Sequence, residues 1–176
     1  MTLQIKKISS FLLIFFLSLL TVITVASCSS TIADDYQAKA KTTLTWRVFY
    51  SIDPHEAEKG RYQEFESNSL TIINGQRPKL AYSGPDDEGL WWPAIPPKPS
   101  LDEIEAAAKN YEKFDRPELL RTVKYRVIFT QDGERLNLPT NYSAYRQIVK
   151  ASRENKRLRF TLGINNGSVE KAAAID

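Results

Sequence analysis

Three stretches of the chain alternate apolar and polar residues with the period of two expected of strands that bury one face. In "TLTWRVFYSI" (Thr43 to Ile52), Leu44, Trp46, Val48 and Tyr50 take one side, and Thr45, Arg47 and Phe49 the other. In "LLRTVKYRVIFT" (Leu119 to Thr130), Val123, Tyr125, Val127 and Phe129 alternate with Lys124, Arg126 and Ile128. In "KRLRFTLGI" (Lys156 to Ile164), Leu158, Phe160 and Leu162 face one way. "RYQEFES" and "SLTIING" add two strand candidates, the second closed by the Asn74-Gly75 turn signal. "SVEKAAAI", after the turn residues Asn165 to Gly167, predicts a closing edge strand.

Elsewhere the spacing changes to three and four. Leu101, Ile104, Ala108 and Tyr111 predict an amphipathic helix from Leu101 to Phe114. Ser100 and Glu103 form the S-x-x-E capping box at its start, and Pro117 disfavours helix at the residue before it. "TNYSAYRQIVKASREN" (Thr140 to Asn155) predicts a second helix, with Tyr142, Tyr145, Ile148 or Val149, and Ser152 on one face. This order gives a single α+β domain, with a mainly antiparallel sheet and two helices.

"LWWPAIPPKPS" (Leu90 to Ser100) follows neither period. Pro93, Pro96, Pro97 and Pro99 each fix φ near −65° and hold the residues before them extended, so the stretch predicts a stiff polyproline-like strap across the fold. Neighbouring side chains in such a segment diverge by 120° or more, so Trp91 and Trp92 should not share one pocket. One ring is expected to pin the strap to the sheet. The other is expected to cover the helix or meet a protein partner, which makes Trp91 and Trp92 the partner-binding candidates.

The N-terminus sets the compartment. Lys6 and Lys7 precede an uncharged apolar run from Phe11 to Ala26, which ends in small residues; this is the pattern of a secretory signal. The run of about sixteen residues is short of the roughly twenty needed to span a bilayer as a helix. "VASC" (Val25 to Cys28) resembles the lipobox of bacterial lipoproteins. The resemblance implies that the Cys28 thiol receives a diacylglycerol, that the peptide is cut before it, and that the new amino group is acylated, with palmitate an expected chain. Several such chains, at about 0.8 kcal/mol per buried methylene, would anchor the protein to membrane lipid from the extracytoplasmic side of the cell envelope. The lipobox, "GLWWPAIPPKPS" and "LDEIE" together resemble uncharacterised lipoproteins of cyanobacteria, a likeness that implies a location and no activity. The expected division is a signal peptide over 1–27, a flexible tether over 28–42 and the α+β domain over 43–176.

Composition narrows the chemistry. Cys28 is the only cysteine, so no disulfide can form within the domain. The chain carries 24 Lys and Arg against 21 Asp and Glu; removing the signal takes away Lys6 and Lys7 and leaves the two signs nearly balanced. No nucleic-acid partner follows from such a balance. His55 is the only histidine and lies in a predicted loop. Asp86, Asp87 and Glu88 offer hard oxygen ligands but lack the spacing of a calcium loop. Glu64 and Glu66 would make a carboxylate pair of the kind glycosidases use. Both acidic groups read more simply as surface charges, so no catalytic residue, metal or cofactor is assigned. Lys150, Arg153, Lys156 and Arg157 form the densest run of cations and are the candidates for contact with an anionic membrane surface. The function expected is non-enzymatic, a binding or assembly module at a membrane surface. The alternatives are a hydrolase of envelope polymers and a structural envelope protein.

Overall fold

The computed structural model describes residues 29–53 and 60–175; the signal segment, Cys28 and His55 lie outside the described residues. The elements are β1 (Ser30–Ala33), β2 (Tyr36–Ser51), β3 (Arg61–Ile73), α1 (Leu101–Ala107), β4 (Lys113–Phe114), β5 (Glu118–Gln131), β6 (Glu134–Thr140), α2 (Tyr142–Arg153), β7 (Arg157–Leu162) and β8 (Val169–Ile175). All the strands join one sheet, ordered β1-β7-β8-β6-β5-β2-β3, with β4 pairing β2 off this path. Every pairing is antiparallel except a parallel contact of β6 with β8 at Thr140 and Val169. The domain is α+β, as its patterning predicts.

The sheet curls over on itself. Phe129 of β5 and Phe160 of β7 have two strands, β6 and β8, between them in the order, yet their ring centroids lie 4.9 Å apart. Within the curl, α2 buries Ala144, Tyr145, Ile148, Val149 and Ala151. The same core holds Ala38 and Ala40 from β2, Val127 and Phe129 from β5, and Leu158, Phe160 and Leu162 from β7. Asn141 caps α2, accepting from Ala144 N at 2.9 Å. Its amide also donates to Glu170 O at 2.8 Å, which ties the helix start to β8.

Four sequence readings change. Residues 28–42 read as a tether because they are small and polar, but the described part is already in the sheet. Ser30–Ala33 pairs with β7, and from Tyr36 onward the chain pairs with β5. Ala38, Ala40 and Thr42 are fully buried, and their small side chains make room for the helix layer above. The two candidates after Gly60 are one bulged strand. Thr45 pairs with Ser67 and Arg47 with Glu64, so β3 spends one more residue than β2 there. The extra residue reverses the phase: Leu70 and Ile72 are buried beyond the bulge, whereas Phe65 packs inward before it.

The first helix stops at Ala107 rather than Phe114. Arg61 Nη2 takes the Ala107 carbonyl at 2.8 Å, Glu112 accepts from Lys109 N at 2.8 Å, and Phe114 pairs with Tyr50 at the edge of β2. These tertiary partners outweigh a helix of seven residues, too short to persist alone. Tyr50 donates from its hydroxyl to Ile104 O at 2.8 Å and fastens what remains. Finally, β8 is not an edge strand, since it lies between β7 and β6; β6 itself follows the turn at Asp132 and Gly133, both with positive φ.

A candidate ligand cleft between an acidic turn and a cationic helix face

Residues 82–92 form a closed loop. Trp92 N donates to Ser83 O at 2.9 Å, and Asp86 N to Leu90 O at 3.0 Å. Asp86 locks the turn from inside: Oδ1 accepts from Leu90 N at 2.8 Å and Glu88 N at 3.0 Å, and Oδ2 accepts from Trp92 Nε1 at 2.7 Å. One carboxylate thus saturated leaves the next two, Asp87 and Glu88, exposed at the tip. Glu88 also takes a long hydrogen bond of 3.5 Å from the Tyr125 hydroxyl.

Opposite stands the outer face of α2. Arg146, Lys150 and Arg153 recur at four- and three-residue spacing and so line up along one side of the helix. Among the described residues, none of the three has a carboxylate at ion-pair distance. Between this row and the acidic turn lies a cleft of about 530 Å³, floored by Gly75, Tyr145 and Val149. Gly75, at φ +68°, is needed there: a Cβ would come within 2.8 Å of the Val149 side chain and 3.3 Å of Arg153 Nη2.

Tyr145 is the unusual member of the wall. It is 2% exposed, and its ring lies 4.9 Å from that of Tyr125. Its hydroxyl has no hydrogen-bond partner; among the described residues only Gln131 Oε1 shares that condition. Burial pushes its pKa up to about 12, against the pull of the Arg153 cation. A sealed, unpartnered hydroxyl costs stability.

The other candidates fall elsewhere. Trp92 is buried, with the Arg121 guanidinium 5.3 Å from its ring centroid. Trp91 is half-buried against the main core under Arg77, and its carbonyl accepts from the Thr42 hydroxyl at 2.8 Å. The two fates differ less than the sequence suggests, because the loop folds back and gives each ring its own seat. Of the four cations proposed for a membrane surface, Lys150 and Arg153 line the cleft. Arg157 pairs with Asp34, and Lys156 lies 3.6 Å from Glu154. Glu64 faces Arg47 across β2 and β3, away from the cleft. Among the described residues no group of three His, Cys, Asp or Glu is placed to hold a metal ion, and no helix is long and apolar enough to cross a membrane.

The sequence pattern does not join Tyr145, Arg146, Asp87 and Glu88 into one site. Extending the spacing of Lys150 and Arg153 back by one turn points to Arg146. That the acidic turn lies opposite could come only from the long-range fold. No family model, curated protein or solved structure matches the chain.

Proposed function

We propose that the protein is a lipid-anchored, exported binding module of the bacterial envelope, and that its ligand seat is the cleft between the acidic turn and α2. The lipobox residues Val25 to Cys28 support the anchor. The observation that carries the binding role is the cleft itself, about 530 Å³ between Asp87 and Glu88 on one side and Arg146, Lys150 and Arg153 on the other, with no ion pair across it among the described residues. A ligand that meets both walls supplies the charge pairing the fold leaves unmade there.

In this reading Leu90 to Pro99 serves as a strap. It hangs on Trp91 O, on Asn68 Nδ2 donating to Ala94 O at 2.9 Å, and on Trp46 Nε1 donating to Pro96 O at 2.8 Å. Through Trp92 and Asp86 it holds the acidic wall at a fixed place opposite the helix.

Two experiments test the two halves. Cys28→Ser should release the protein from membranes and abolish acyl labelling; retention of both would end the anchor reading. Capture of ligand from a solubilised envelope extract should be lost in Lys150→Gln and kept in Arg159→Gln, which alters a cation outside the cleft. Equal capture by all forms would end the cleft reading.

A further inference from the structure

We infer that the cleft takes a small zwitterion: a phosphate ester that carries an ammonium group. The inference rests on the binding role proposed above and names the chemistry of the ligand.

The two walls carry opposite charge and do not neutralise each other. Asp87 and Glu88 stand on one side, and Arg146, Lys150 and Arg153 on the other, with about 530 Å³ between them; Glu154, at the end of the cationic row, lies 3.6 Å from Lys156. A simple anion would satisfy one wall and leave the acidic one repelling it; a simple cation would do the reverse. A ligand with both charges satisfies both.

Phosphate suits the cationic wall better than carboxylate. Three long cations offer more donors than two carboxylate oxygens can use, whereas a phosphate monoester presents three terminal oxygens. The row spans about 10 Å along the helix, within reach of Arg and Lys side chains converging on one group. Asp86 stays with Trp92 and the loop backbone, so the ammonium group would meet Asp87 and Glu88.

Soluble phosphoethanolamine carries this monoester; the head group of phosphatidylethanolamine pairs the same ammonium group with a phosphate diester, which keeps two terminal oxygens. Calorimetric titration of the full-length protein in detergent, in phosphate-free buffer, with phosphoethanolamine, inorganic phosphate and ethanolamine in separate runs tests the inference. Phosphoethanolamine should bind at least about tenfold more tightly than either half, the scale of one charge-assisted hydrogen bond. Lys150→Gln should weaken phosphoethanolamine and phosphate alike. Asp87→Asn should weaken phosphoethanolamine and, by removing a repelling charge, bind phosphate somewhat more tightly. Phosphate binding as tightly as phosphoethanolamine would overturn the zwitterion and leave an anion-binding module standing. No heat with any of the three would overturn the inference and the cleft together. Reconstitution into phosphatidylglycerol vesicles, with or without phosphatidylethanolamine, separates the sources. Competition by the lipid supports the inference with the head group as ligand; unchanged affinity for the free ester supports it with the soluble form.

Discussion

Replacing Tyr145 by Phe removes one oxygen from the floor of the cleft and should make the ligand-free protein more stable. The hydroxyl is buried and has no partner, and a hydroxyl in that condition costs about 1–3 kcal/mol relative to water. Phe fills the same ring space against Tyr125, so the void left is less than a methyl group and its cost is small. The expected net gain is about 1–2 kcal/mol, which for a domain of this size is a rise in Tm of roughly 2–6 °C. Urea unfolding and calorimetry of the full-length protein in phosphate-free buffer would measure it. A variant that loses 1 kcal/mol or more without ligand would refute the reasoning, since the hydroxyl would then have a partner worth keeping.

Three further outcomes follow from the same geometry. Burial raises the pKa of Tyr36, Tyr50 and Tyr125 and pushes Tyr145 up to about 12. Unfolded tyrosines ionise near 10, so above that pH the unfolded chain loses protons first. Stability should be full below pH 10 and fall toward pH 12, with Tyr145 contributing up to about 1.4 kcal/mol per pH unit and the other tyrosines acting in the same direction; urea midpoints that stay flat across this window would contradict it. Trp92→Phe deletes the 2.7 Å bond to Asp86 and should cost about 1.5–3 kcal/mol, with faster amide exchange at Glu88 and Leu90; unchanged exchange would show that the loop does not depend on it. Gly84→Ala places a Cβ 2.6 Å from Leu90 O at φ +115°, and should lower stability by at least about 1 kcal/mol in the same unfolding assay.

The strands around Val48, Val127 and Phe160 and the second helix are legible because each element repeats its own period without interruption. β3 is not, because the bulge near Glu66 reverses its phase midway and two half-patterns cancel. The stretch before Thr43 hides its strand for a different reason: Ala38, Ala40 and Thr42 are buried because they are small, and small residues carry no hydrophobic signal. The first helix is overextended because Arg61, distant in sequence, ends it. At the cleft, one cationic wall is written in the spacing of Arg146, Lys150 and Arg153, while the acidic wall faces it only because Asp86 binds Trp92. A loop closed by a side-chain hydrogen bond leaves no periodic trace.

On the proposed anchor, Ser29 would set the posture of the domain. Its carbonyl accepts from Leu162 N at 2.8 Å, and its hydroxyl donates to Asn166 at the turn after β7. An acylated Cys28 would therefore hang from the first residue fixed to the sheet, with no slack between lipid and fold. The end of the molecule bearing Ser29, Asn166 and the exposed Ile164 would rest at the bilayer, while Arg157, at the opposite end of β7, would point outward. So short a leash leaves almost no radius to search: the domain would wait at a fixed height for what diffuses to it.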